Sequence, residues 1–216
     1  MKKILIATPC LYGKVDAYYV HSLCESIRLG LENNLNIRAI FLAEESILTI
    51  ARNELINLAY RDNYDAMVFI DDDELWQPEA LIEILLSAKD VVALPVVNKG
   101  ENIAFNVWFD KNNQIKDSKD GYISAMQVGT GFLKLSKKVV IDLCESNMLM
   151  TFRNKKLHNV FEFNYLNNSF IGEDINLCSK IKELGYTIWV NPKSTVSHMG
   201  VKMYKGNFND TIKNLT

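Results

Sequence analysis

Apolar residues along the first ninety-five positions fall into two alternating patterns. Short unbroken runs, such as Ile4-Leu5-Ile6-Ala7 and Ala66-Met67-Val68-Phe69-Ile70, have no polar alternation. Such runs are the pattern of strands buried on both faces of a parallel sheet. Between them, apolar residues recur at helical spacing. The pattern predicts strands over 4–8, 37–42, 66–71 and 91–94. The first predicted helix is capped by Asp16 and runs to about Asn33, with Tyr19, Val20, Leu23, Ile27 and Leu31 on one stripe. The second is capped by Ser46 and runs to about Arg61. The third opens at Pro78, beside acidic Glu79, and runs to about Ala88. Strand–helix alternation of this kind implies a parallel sheet with helices on both faces.

Beyond Pro95 the pattern loosens. Residues 102–135 are strand-like, with turn signals at Lys111-Asn112-Asn113 and Asp120-Gly121. In Gly129-Thr130-Gly131-Phe132-Leu133-Lys134-Leu135 the glycines imply close backbone approach or a bulge. A helix is expected over 136–146, an irregular stretch over 147–169, a helix over 173–184 stopped by Gly185, and a strand over 186–190. The polar residues after Gly200 read as a loosely attached tail. With no repeat and no linker, the expectation is one domain over 1–216, divided into a regular half (1–95), an irregular half (96–200) and a tail (201–216).

Composition narrows the function classes. The chain has 216 residues and a formal net charge of -2, with no long basic run, so nucleic acid is not an expected partner. Cys10, Cys24, Cys144 and Cys178 are widely spaced and read as reduced thiols. The apolar stretch after Lys2-Lys3 is too short for a signal peptide, and no stretch is long enough to cross a bilayer. A soluble, cytoplasmic protein is expected.

Several polar residues stand where packing alone does not call for them. Strand 66–71 ends in Asp71-Asp72-Asp73. Two like charges about 4 Å apart repel by roughly 4 kcal/mol at an effective dielectric near 20, and a divalent cation relieves that cost. Ligands of open α/β sheets bind at the carboxyl ends of strands. Alternate residues leaving a strand point the same way, so Asp71 and Asp73 are expected to face one site. An acidic turn capping the next helix is the plainer alternative. Arg52 lies on an apolar helical stripe, so its guanidinium needs a carboxylate or phosphate: the acidic triplet, Glu44, Glu45 or a ligand. Gly172-Glu173-Asp174 opens a helix, where acidic residues are ordinary, but a carboxylate there can also serve as a general base. His198, near the end of a strand-like segment before Gly200, is a candidate third metal ligand; His21 and His158 have no evident partners.

In chain order, Thr8-Pro9, Leu48-Thr49-Ile50-Ala51-Arg52-Asn53, Phe69-Ile70-Asp71-Asp72-Asp73, Gly129-Thr130-Gly131-Phe132, Gly172-Glu173-Asp174 with Leu184-Gly185-Tyr186, and Ser197-His198-Met199-Gly200 span nearly the whole chain. This ordered set resembles glycosyltransferases of the GT-A fold, closest the family-2-like sugar transferases, and is similar to their compact viral and phage members. The resemblance implies an α/β fold with a mostly parallel central sheet, flanking helices and a smaller antiparallel part. It implies transfer of a hexose or deoxyhexose from a nucleotide-sugar donor, a UDP-sugar, to a glycan or other hydroxyl acceptor, with inversion and with Mn2+ or Mg2+. Asp73 and His198 would bind the metal, with Asp71 on metal or ribose. Thr8 and Pro9 would border the base, Arg52 and Asp72 would lie by the nucleotide, and Asp174 would be the base. Residues 1–95 become the nucleotide half and 96–200 the acceptor half. If viral, the protein would work in the host cytoplasm. A sugar nucleotidyltransferase, a retaining mechanism and a non-catalytic nucleotide-sugar-binding domain remain as alternatives.

Overall fold

The computed structural model describes residues 1–109, 120–166 and 168–212. Its elements are β1 (Lys2–Cys10), α1 (Ala17–Glu32), β2 (Leu35–Ala43), α2 (Leu48–Arg61), β3 (Ala66–Ile70), β4 (Glu74–Leu75), α3 (Pro78–Leu86) and β5 (Val91–Ala93). Next come β6 (Val107–Trp108), β7 (Ile123–Ala125), β8 (Gln127–Val128), β9 (Phe132–Ser136) and α4 (Lys137–Ser146). The chain continues through β10 (Leu149–Phe152), β11 (Lys155–His158), β12 (Asn164–Leu166), β13 (Ser169–Ile171) and α5 (Glu173–Glu183). It closes with β14 (Ile188–Val190), β15 (Ser197–Met199), β16 (Met203–Tyr204) and α6 (Phe208–Ile212).

Seven strands form the central sheet in the order β2-β1-β3-β9-β5-β14-β7. The β2/β1, β1/β3 and β5/β14 pairs are parallel. β9 runs antiparallel between β3 and β5, and β7 is antiparallel on β14. Five strands therefore share one direction, which is the mostly parallel sheet expected. Two apolar layers form, because successive side chains of a strand face opposite ways. Leu5, Met67, Phe69 and Leu133 pack on one face with α2, α4 and α5. Ile4, Ile6, Val68, Ile70 and Phe132 pack on the other with Tyr19, Trp76 and α3.

Local chemistry modifies several expectations. Asp16 does cap α1, accepting from Tyr18 N at 2.8 Å. The α1 stripe is narrower than expected: Val20 and Leu31 are exposed, while Ser22 and Ser26 are buried because they bond the backbone and indole of Trp76. Ser46 does not cap α2. The cap position is Ile47, and its N–H donates to the Glu45 carboxylate at 3.0 Å. Strand β3 stops at Ile70, and α3 at Leu86. The stretch 147–169 holds the hairpin β10–β11 and leads into the hairpin β12–β13. The turn signalled at 111–113 lies outside the described residues. The tail is docked through residue 212: Phe208 is 1% exposed, with its ring against Phe105 and Phe109. Polarity of its neighbours hid that anchor. All four cysteines are free, with Cys24 exposed. Among the described residues no helix is long and apolar enough to cross a membrane.

Candidate functional site

At one edge of the sheet, β3 ends at Ile70 opposite the start of β9 at Phe132, and β5 ends nearby. The Asp71 N–H donates to Gly131 O at 3.0 Å, so the acidic triplet leaves the sheet against the Gly129–Gly131 turn. A Cβ on Gly131 would lie 2.5 Å from Glu74 Oε1 and 3.2 Å from Asp71 Oδ2. The close approach expected of these glycines is thus to carboxylates at Gly131 and to the Asn106 side chain at Gly129.

The three aspartates diverge. Asp71 Oδ1 meets Arg52 Nη2 at 3.4 Å. Asp72 turns back to β1: its carbonyl accepts from Asp16 N, and its side chain lies beside Cys10, whose thiol donates to Lys14 O at 2.9 Å. Burial, then the charges of Asp73 and Asp71, raise its carboxyl. Asp73 Oδ1 lies 3.1 Å from His198 Nε2, and Oδ2 accepts from Lys99 Nζ. Burial alone would raise Asp73, but its contacts with His198 and Lys99 outweigh it and hold the carboxyl below its ordinary value.

His198 reaches Asp73 because β15 pairs antiparallel with β4. Its Nδ1 lies 3.0 Å from Val97 O, which can only accept, so Nδ1 carries the proton. Nε2 then faces a carboxylate oxygen. Two lone pairs do not share that space without a second proton or a metal ion between them. This is the arrangement in which an outer carbonyl fixes a ligating histidine. Asp73 and His198 offer one oxygen and one nitrogen donor, a set that suits Mn2+ and tolerates Mg2+. Among the described residues no three such side chains converge tightly enough to enclose an ion alone, so the remaining donors would have to come from a ligand and water.

Arg52 is 3% exposed on the second turn of α2. Its Nη1 donates to Glu173 Oε1 at 2.8 Å and to Asp174 Oδ1 at 3.1 Å. One guanidinium therefore joins the acidic triplet to the first turn of α5, and the expectation of a carboxylate partner is met there, not at Glu44 or Glu45. Burial, with Asp174 next, raises the Glu173 carboxyl. Gly172 caps α5 at φ −62°, which any residue adopts, and a Cβ there would meet nothing within 4 Å.

Thr8 is fully buried, and its hydroxyl shares a 2.5 Å hydrogen bond with Tyr19. Only its backbone and Pro9, partly exposed near the end of β1, can border a ligand.

Sequence reasoning missed Glu74. It is 1% exposed, and neither carboxyl oxygen has a partner. Burial first, then repulsion from Asp71 and Asp73, push its carboxyl well above the ordinary range. Thr130 Oγ1 and Arg52 Nε are also buried without partners. Native interiors leave few such atoms, and here three residues bearing them adjoin one triplet. The available signal was the glycine at 131, whose need for space implied a side chain pressing on it.

Fold and site together define a class before any particular relative: a mixed α/β protein with a mostly parallel central sheet and a cluster of acidic side chains at the carboxyl ends of its strands. No family model matches the chain, and no curated protein matches it. Among solved structures it is similar to A197 from STIV, at TM-score 0.55 and 15% identity over 93% of this chain and 86% of that one. That likeness is one of fold. GalNAc-T7 with UDP, GalNAc and Mn2+ matches at TM-score 0.47 and 10% identity over 93% of this chain and 44% of that one. The inositol-1-phosphate CTP transferase from T. maritima matches at TM-score 0.45 and 12% identity over 100% and 94%.

Proposed function

We propose that the chain is a metal-dependent glycosyltransferase, moving a hexosyl or deoxyhexosyl group from a UDP-sugar to a hydroxyl acceptor with inversion. The observation that carries this reading is the pairing of Asp73 with His198, whose Nε2 is aimed at the carboxylate by the bond from Nδ1 to Val97 O. Asp73 and His198 would hold Mn2+ or Mg2+, with Asp71 beside them. When bound, the metal would neutralise charge on the departing diphosphate. Residues 1–95 form the nucleotide half of one catalytic domain, with Pro9, Arg52 and Asp72 at its rim. Residues 96–200 supply the acceptor half.

Asp174 takes the proton of the acceptor hydroxyl as that oxygen attacks the anomeric carbon. The new carbon–oxygen bond forms as the bond to phosphate breaks, and the nucleoside diphosphate leaves with the electron pair. Arg52 positions Asp174 through Oδ1, which leaves Oδ2 to receive the proton.

The test is incubation with a panel of nucleotide sugars and Mn2+. Slow release of UDP from one donor supports the reading. Pyrophosphate release from a nucleoside triphosphate and a sugar phosphate would replace it with nucleotidyl transfer. Donor binding without turnover would leave a binding domain.

A further inference from the structure

The hairpin β12–β13 carries its aromatic residues on one face. Tyr165 lies directly opposite Phe170 in the register, and Phe163, two positions before Tyr165, shares their side. The rings touch: centroids are 5.1 Å apart for Phe163 and Phe170, and 5.7 Å for Tyr165 and Phe170. They are nevertheless 48%, 73% and 59% exposed. At roughly 200 Å² for each ring-bearing side chain, on the order of 350 Å² of aromatic surface stands in water. Patches of that size on a monomer are commonly functional.

This face is held in fixed relation to Asp174. Glu162, at the foot of the hairpin, accepts through its carbonyl from Asn176 Nδ2 at 3.1 Å, and its carboxylate pairs with Lys180 at 2.8 Å. Both partners are on α5, whose first turn bears Asp174. The other foot runs straight from Ile171 through Gly172 into that turn. Phe170 and Asp174 are four residues apart, a span of at most about 14 Å. The ground between them is open at Gly172.

We infer that this hairpin is the acceptor platform of the site, and that the acceptor is a neutral oligosaccharide. The inference rests on the glycosyl-transfer reading above and names its acceptor. The electron-rich face of an aromatic ring attracts the weakly positive C–H groups on the face of a sugar. Three adjoining rings suit a ligand of successive sugars. Charge selects the ligand. Residues 157–172 contain no Lys or Arg and carry Glu162. Anionic lipid surfaces and phosphorylated acceptors call for basic side chains, which this segment does not supply.

The test uses the whole protein and a panel of neutral trisaccharides, read by saturation-transfer NMR, with phosphatidylcholine vesicles as a second arm. At least one trisaccharide should bind. Tyr165→Ser and Phe170→Ser should each weaken it by about tenfold, the scale of one stacking contact. Both residues are exposed, so the unfolding temperature and the metal-dependent affinity for UDP should hold. Absence of saccharide binding, or binding indifferent to both substitutions, overturns the inference. So does sedimentation with the vesicles that the same substitutions abolish, which would assign the rings to a membrane. UDP binding is measured separately: its loss in the unsubstituted protein refutes the transferase reading, whereas UDP binding without saccharide binding refutes the platform alone.

Discussion

Lys134 and Glu74 are both buried titratable side chains, one on the central sheet and one just beyond the carboxyl ends of its strands, and their surroundings differ. Lys134 lies on β9 opposite Val68 of β3 and Val92 of β5, and borders a cavity of about 290 Å³ lined also by Lys2, Ala66 and Ser136 toward the amino ends of the strands. Its ammonium donates to the carbonyls of Ser87 and Lys89. Glu74, at the carboxyl ends, is buried with neither oxygen bonded, next to two more carboxylates that repel it. An unmade bond at a buried polar group costs about 1–3 kcal/mol, and more if the group is charged. Buried polar groups are thus bonded at one end of the sheet and left unbonded at the other, the end that carries the proposed site.

The largest effect expected from breaking this contrast is on turnover. Asp174→Asn keeps Oδ1 for Arg52 but removes the base, so transfer should fall by about 100- to 10,000-fold with UDP affinity retained. Steady-state rates and a UDP titration check this. Next comes Arg52→Met, which leaves three carboxylates without their shared cation. Breaking a buried pair costs about 3–5 kcal/mol, readable as a shift in urea midpoint.

Smaller effects separate the two ends by their pH dependence. Burial lowers the Lys134 pKa from 10.5 to about 8. Between those values the unfolded chain binds more protons, so the wild type gains stability as pH rises through that window. Lys134→Met should lose that gain, cost about 1–3 kcal/mol for the two orphaned carbonyls, and leave UDP affinity untouched. Glu74 has the opposite sign. Its folded pKa is raised above 4.5, so its contribution is present below that value and is lost as pH rises through it. Glu74→Gln should remove that decline. Urea midpoints across the pH range distinguish the two slopes.

The legible parts of this molecule were those specified locally. Strands β1 and β3 are unbroken apolar runs, Asp16 caps the helix it precedes, and Gly185, with φ +86°, stops α5 as expected. What was hidden depends on distant partners. Arg52 meets carboxylates 121 and 122 positions away. The antiparallel placement of β9 between β3 and β5 ties the two expected halves into one sheet, and no local periodicity records it. Glu74 follows three aspartates and looks like one more solvated acid until Gly131 closes over it. The strands of the later region, mostly two to four residues long, are too short for alternation to declare itself.

The central claim is that the edge bearing Asp73 and His198 waits for a metal that carries the donor diphosphate. Calorimetric titration with UDP, once with Mn2+ and once with chelator, addresses it directly. The account predicts binding that requires Mn2+ and is severely weakened by Asp73→Asn or His198→Ala. Equal UDP affinity with Mn2+ and with chelator would contradict it.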